Sequence, residues 1–172
     1  MILGAILAGG RSQRFGSDKA AALLDGRALI DHVADALAPH VDGLIVCGRA
    51  HERLECVSDR PSGDLGPLGG LDAALDHART NGFDHVVTLP CDTPLIDPDL
   101  VPALLAHGGP AILSECPVIG IWPATLAPAL DHWLATSDDR SIRAWARSVG
   151  AGQLALPAPV NVNRVADLDR LG

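Results

Sequence analysis

The chain opens with an apolar run of strand length, Ile2-Leu3-Gly4-Ala5-Ile6-Leu7, which passes without a polar spacer into a glycine-rich turn, Ala8-Gly9-Gly10-Arg11-Ser12-Gln13-Arg14-Phe15-Gly16-Ser17-Asp18-Lys19. A continuous apolar strand is buried on both faces, which places it in a parallel sheet covered by helices. The turn that follows then lies outside the carboxyl end of that sheet, where open α/β folds hold their ligands. Glycine admits positive φ and lets the backbone come close to a ligand. Gly9, Gly10 and Gly16 can therefore aim N–H groups at phosphate oxygens while Arg11 and Lys19 supply charge. The spacing matches neither the G-x-G-x-x-G dinucleotide turn nor the G-x-x-x-x-G-K-[ST] phosphate loop. Taken alone, the turn also reads as a plain strand-to-helix connection with solvated charges.

The rest of the chain alternates in the same way. Strand-like runs are expected near Ile2–Leu7, Gly43–Cys47, Leu54–Val57, His85–Leu89, Ala111–Leu113 and Val118–Trp122. Apolar stripes at helical spacing lie between and after them: Leu29, Ile30, Val33 and Leu37; Leu68, Leu71, Leu75 and Ala78, with Pro67 suited to a first helical position; Leu100, Leu104 and Leu105; Leu126, Leu130 and Leu134; Ile142, Trp145 and Val149. This pattern predicts one three-layer α/β domain over residues 1–172, a mostly parallel twisted sheet with helices on both faces. A chain of this length buries roughly 70% of the surface its unfolded form exposes, so the core can stand alone.

No apolar segment reaches the ~20 residues needed to span a bilayer, and the N-terminus shows no charged leader before a cleavable apolar stretch; the expectation is a cytoplasmic protein with no membrane contact. Cys47, Cys56, Cys91 and Cys116 show no C-x-x-C pairing and read as reduced thiols. The net charge of −8 speaks against a nucleic-acid surface. Residues 1–27 nonetheless carry a local excess of +2 against −10 for the remainder, so an anionic ligand is drawn to that corner.

Asp92 follows the run Val86-Val87-Thr88-Leu89 and so projects from the carboxyl end of a strand. There it can serve a hard cation such as Mg²⁺, which combines carboxylate oxygen with phosphate oxygens and retained waters. Its other reading is a turn or cap residue. Asn161 and Asn163 alternate with valines and share one face of an extended segment, where paired amides hold a phosphate oxygen or complete a metal shell; two turn-forming asparagines are the plainer reading. His32, His40, His51, His77, His85, His107 and His132 accompany no nucleophile motif and are read as surface or structural.

The opening L-A-G-G-x-S-x-R-F-G-x-D-K resembles the signature of the sugar-phosphate and cofactor nucleotidyltransferases, most closely the molybdenum cofactor guanylyltransferases. Four further pieces stand in that family's order: Asp59 ahead of Gly66-Pro67-Leu68-Gly69-Gly70, then Leu89-Pro90-Cys91-Asp92-Thr93-Pro94, then Asp139-Arg140-Ser141, and last Val160-Asn161-Val162-Asn163.

The resemblance implies a Rossmann-like fold and transfer of GMP from GTP to molybdopterin or Mo-molybdopterin with release of diphosphate. Lys19 would meet the transferred nucleotide's phosphates and Arg11 the leaving diphosphate. Asp92 and Asn163 would hold Mg²⁺, and Arg140 and Asn161 would touch acceptor or phosphate. Leu7, Ala8, Gly9 and Gly10 would read the guanine edge, with Asp59, Gly66, Pro67 and Leu68 closing the other side of the nucleotide. The implied protein partners are cofactor-insertion proteins and molybdoenzyme chaperones. Two departures stand out: Cys47-Gly48-Arg49 where the family often has an asparagine, and a short Ser114-Glu115-Cys116-Pro117 where it often has a longer loop ending in His-Pro. A cytidylyl or sugar-phosphate transferase on the same fold, or a non-catalytic nucleotide or cofactor carrier, are the competing readings.

Overall fold

A computed structural model of the chain describes residues 1–9, 23–61 and 65–160. Along it run β1 (Ile2–Leu7), a small hairpin of β2 (Leu23–Leu24) and β3 (Arg27–Ala28), α1 (Leu29–Leu37), β4 (Gly43–Cys47) and β5 (Glu55–Val57). Then come α2 (Pro67–Thr80), β6 (His85–Pro90), α3 (Leu100–Ala106), β7 (Ala111–Leu113), β8 (Gly120–Pro123), α4 (Ala127–Thr136), α5 (Ile142–Ser148) and β9 (Gly152–Leu154). Seven strands form one sheet in the order β5-β4-β1-β6-β8-β7-β9. The pairs of β1 with β4 and β6, of β4 with β5 and of β7 with β9 are parallel; β8 runs antiparallel between β6 and β7.

The period of two along β1 sorts its side chains between two cores. Leu3, Ala5 and Leu7 face one cluster with Leu68, Leu71, Leu75, Leu130, Leu134 and Trp145, from α2, α4 and α5. Ile6 faces the other with Ile30, Val33, Leu37, Val101 and Leu104, from α1 and α3. Helices on both faces are what an all-apolar central strand demands. A Cβ at Gly4 would lie 2.8 Å from Leu37 Cδ2, so this residue is where α1 crosses closest to the sheet.

All six expected strands form, with shifted edges. The expected Leu54–Val57 strand starts at Glu55, and Val118–Trp122 is realised as Gly120–Pro123, because Val118 is used in a turn closed by Ile119 N–H donating to the Cys116 carbonyl at 2.9 Å. The reading missed β9, a short edge strand, and the β2–β3 hairpin, whose Asp25-Gly26 turn has both φ values positive, 51° and 77°. Asp-Gly between apolar residues is the ordinary sequence mark of such a turn. No helix among the described residues is long and apolar enough to cross a membrane.

Candidate active site

The chain leaves β1 for β4 and β5 on one side of the sheet and returns to β6 on the other. The carboxyl ends of β1 and β6, which meet at Leu7 and Pro90, therefore form the topological switch point, where the loops diverge and open a crevice. Ala8 and Gly9 lie on one lip and Cys91 and Asp92 on the other. The lips are laced together: Ala8 N–H donates to the Cys47 carbonyl at 3.0 Å, and Cys91 N–H donates to the Leu7 carbonyl at 3.2 Å. The Ala8 N–H is thereby committed to the scaffold.

Asp59, just beyond β5, reaches across the carboxyl end of the sheet to Gly9. A Cβ on Gly9 would sit 3.1 Å from Asp59 Cγ and closer still to Oδ2. Gly9 is not in the left-handed region, so the expectation that it serves through an unusual φ is corrected: what excludes a side chain there is the carboxylate. Positive φ is required instead at Gly48, 84°, where a Cβ would also lie 2.6 Å from Gly9 Cα and 2.8 Å from Asp59 Oδ1. Gly48 stands right after β4 in the segment where the family's asparagine is missing; its position at a strand end was the signal that sequence reading passed over. Gly69 and Gly70 complete the cradle, with Asp59 Cβ 3.3 Å from a Cβ at Gly69 and Asp59 Oδ1 3.5 Å from one at Gly70. Asp59 Oδ1 is buried with no hydrogen-bond donor from the described residues. Burial pushes the Asp59 carboxyl above its ordinary range.

Gly66 and Pro67 open α2 beside this cradle. The Leu68 side chain has no exposed surface and packs in the core cluster with Leu71 and Leu75, as its helical stripe predicts, so it braces the helix start. Leu7 is likewise buried, its side chain directed toward Gly70. Cys47 is fully buried, and its thiol is held protonated by burial with the Asp59 charge adding to the effect.

On the opposite lip, Asp92 is half-buried in a turn clamped by the buried Thr93, whose Oγ1 donates to the Pro90 carbonyl at 3.1 Å. Burial pushes the Cys116 thiol up and the Asp92 charge adds to it, so Asp92 and Cys116 lie within electrostatic reach of each other. Arg143 Nη2 holds this segment by donating to the Ser114 carbonyl at 2.6 Å. That ties the start of α5, capped by Ser141 Oγ accepting from Ala144 N–H at 3.2 Å, to the same edge of the sheet. Arg140 immediately precedes the cap, and its Nη1 is buried without an acceptor among the described residues. Gly10, Arg11, Lys19, Asn161 and Asn163 lie outside the described residues. Among those described, no three His, Cys, Asp or Glu side chains group as a metal cage.

His51 has a structural part. His51 Nδ1 accepts from the Arg53 and Leu54 N–H groups at 3.2 Å each, which leaves Nε2 to donate to Asp31 at 3.3 Å and straps the β4–β5 loop to α1. The four cysteines are free thiols.

Residues 4–153 match the model of the MobA-like NTP transferase domain. The chain belongs to this family. The nucleotidyltransferase is 40% identical over 152 residues to the molybdenum cofactor guanylyltransferase of Rhizobium leguminosarum bv. trifolii, covering 83% of this chain and 73% of that one. It is 36% identical to the enzyme of the same name from Cereibacter sphaeroides, covering 98% of this chain and 94% of that one. Among solved structures, molybdopterin-guanine dinucleotide biosynthesis protein A from Archaeoglobus fulgidus superposes with a TM-score of 0.74 at 21% identity over 99% of this chain and 96% of that one.

Proposed function

We propose that this nucleotidyltransferase transfers GMP from GTP to a molybdopterin-type acceptor and releases diphosphate, with Mg²⁺ bound at Asp92. The observation that supports this most directly is the β1–β6 switch point, with Asp59 packed on Gly9 after β1 and Asp92 in the turn after β6, in a chain 36–40% identical to guanylyltransferases over most of its length. An acceptor phosphate oxygen attacks the α-phosphorus of GTP, the bond to the bridging oxygen of the β-phosphate breaks, and that oxygen leaves with the diphosphate. The reaction asks the protein chiefly for position and charge compensation.

Asp59 offers a buried carboxylate oxygen that no donor among the described residues satisfies; in the complex the nucleotide would supply that donor. Asp92 and Asn163 would hold Mg²⁺, which supplies neutralisation of phosphate charge when bound. By the family resemblance, Lys19 would neutralise the phosphates of the transferred nucleotide and Arg11 would meet the leaving diphosphate. The Ser114–Pro117 segment, whose Cys116 lies within electrostatic reach of Asp92, borders the acceptor side, with Arg140 and Asn161 as its phosphate contacts. The protein works in the cytoplasm and passes its product to cofactor-insertion or chaperone proteins.

Incubation with Mg²⁺, molybdopterin and each of GTP, CTP, UTP and ATP, with mass analysis of the product and a diphosphate assay, tests the reading. A GMP adduct formed from GTP alone with stoichiometric diphosphate is expected. Equal use of CTP would refute guanine selection, and nucleotide binding without diphosphate release would leave a carrier.

A further inference from the structure

Arg60 follows Asp59 directly, and its side chain runs to α2 and α4 while that of Asp59 packs on Gly9 and Gly48. Its N–H donates to the Gly69 carbonyl in the first turn of α2 at 3.0 Å, and its guanidinium reaches three carboxyl groups on two helices. Nη1 pairs with Asp76 of α2, Nη2 lies 3.9 Å from Asp131 Oδ1 of α4, and Nε lies 4.0 Å from Asp72 Oδ2 of α2. The other cation at this cluster is Arg79, which donates to Asp76 Oδ1 at 3.1 Å. Asp72 is 1% exposed, and neither of its oxygens has a hydrogen-bond donor among the described residues.

What this arrangement does follows from how weakly the Asp59 segment is otherwise held. β5 is a three-residue edge strand whose Glu55 and Cys56 are exposed. Among the described residues Asp59 Oδ1 has no donor, so its placement there depends on packing and on the backbone of residues 59 and 60. The crevice wall is tight: Gly9, Gly48, Gly69 and Gly70 each leave a Cβ-sized gap that Asp59 fills. A shift of an ångström in this segment moves the carboxylate out of that cradle.

We propose that Arg60 is a positioning residue for nucleotide binding: its guanidinium, clamped by carboxyls of α2 and α4, holds the adjoining Asp59 in the glycine cradle with its unbonded oxygen turned to the ligand. The inference rests on the reading that Asp59 touches the nucleotide. It couples the packing of α2 against α4 to the affinity of the site at Asp59. Ion pairs of a half-exposed arginine contribute little to global stability, so removing the clamp should spare the fold while loosening the site.

The test is steady-state kinetics and calorimetric GTP binding with full-length Arg60→Gln, Arg60→Lys and Asp59→Asn proteins, with urea midpoints as the folding control. Arg60→Gln is expected to raise the GTP KM and Kd roughly tenfold with kcat at saturating GTP within about twofold and the acceptor KM unchanged, the pattern of lost ground-state binding. Arg60→Lys should recover part of the loss, and adding Arg60→Gln to Asp59→Asn should cost little more than Asp59→Asn alone. Should Arg60→Gln fail to fold, Asp76→Asn and Asp131→Asn, which remove the clamp from the other side, are expected to raise the GTP KM in the same way. Unchanged GTP binding in Arg60→Gln beside weakened binding in Asp59→Asn overturns the positioning role alone. Unchanged binding in Asp59→Asn overturns both that role and the reading of Asp59. Equal losses in KM for GTP and acceptor, or in kcat, would mark a merely structural residue.

Discussion

Replacing Asp72 by asparagine should flatten the pH dependence of stability, and the structure gives the size and the sign. Burial, the facing Asp131 and the neighbouring Asp76 outweigh the attraction of Arg60 and push the Asp72 carboxyl from 3.8 up to about 7. In the unfolded chain the group is ionised above pH 3.8, whereas in the folded chain it keeps its proton until about 7, so folding takes up a proton in between. Stability from this group is therefore complete below the unfolded value and is lost as pH rises through the folded one. At about 1.36 kcal/mol per pKa unit, the loss between pH 5 and pH 9 comes to about 2.7 kcal/mol, most of it by pH 7. Asparagine is close in shape and never ionises. Urea unfolding followed by fluorescence of Trp122, Trp133 and Trp145, from pH 5 to 9, reads both proteins. The two should be similar at pH 5, and Asp72→Asn should be more stable by about 2–3 kcal/mol at pH 9. Curves that run parallel across the range, or a variant less stable at pH 9, would refute the buried-proton argument.

Asp92→Asn should keep the urea midpoint, since the side chain lies in a turn outside the core, and lose most nucleotidyl transfer; near-normal turnover at limiting Mg²⁺ would place the metal elsewhere. Gly9→Ala should weaken GTP binding at least tenfold, because its Cβ would displace the Asp59 carboxylate, and Asp59→Ala in the same chain should relieve the clash without restoring affinity, as calorimetry can show. Gly48→Ala adds a strained positive φ to a clash with Gly9, and should lower stability by about 1–3 kcal/mol as well as affinity. Ser141→Ala removes the α5 cap, with an expected loss of about 1 kcal/mol in urea unfolding and, if α5 positions Arg140, a raised KM for the acceptor.

The features that read directly from the chain are those in which one residue's chemistry settles its own surroundings. Ile2–Leu7 has no polar residue to offer water, so it had to be a central strand with helices on both faces; the 3.6-residue stripes of α1 and α2 name the buried residues that the structure shows. Asp92 could be placed at the carboxyl end of β6 because a strand of known direction delivers the residue after it to that edge. The short elements were less legible. β9 carries too few residues for a periodicity, and β8 starts late because a backbone turn at Cys116–Ile119 takes precedence over the β propensity of Val118 and Ile119.

Assembly of the site could not be read from spacing, since it depends on contacts between segments far apart in the chain. Gly9, Gly48, Asp59 and Gly70 meet only because β1, β4 and β5 end side by side and α2 begins beneath them, and from that crowding follows why three of the four must be glycine. Leu68 could be read as ligand-facing or as core from its motif, and packing decided for the core. Arg60 and Asp72 resemble ordinary surface charges in the sequence, twelve positions apart. Local propensity and hydrophobic period thus determined the α/β layers, the main strands and the edge that binds, because those are properties of neighbours in the chain. The carboxylate cradle and the cluster behind it arose only in the tertiary structure, because burial and charge proximity are properties of neighbours in space.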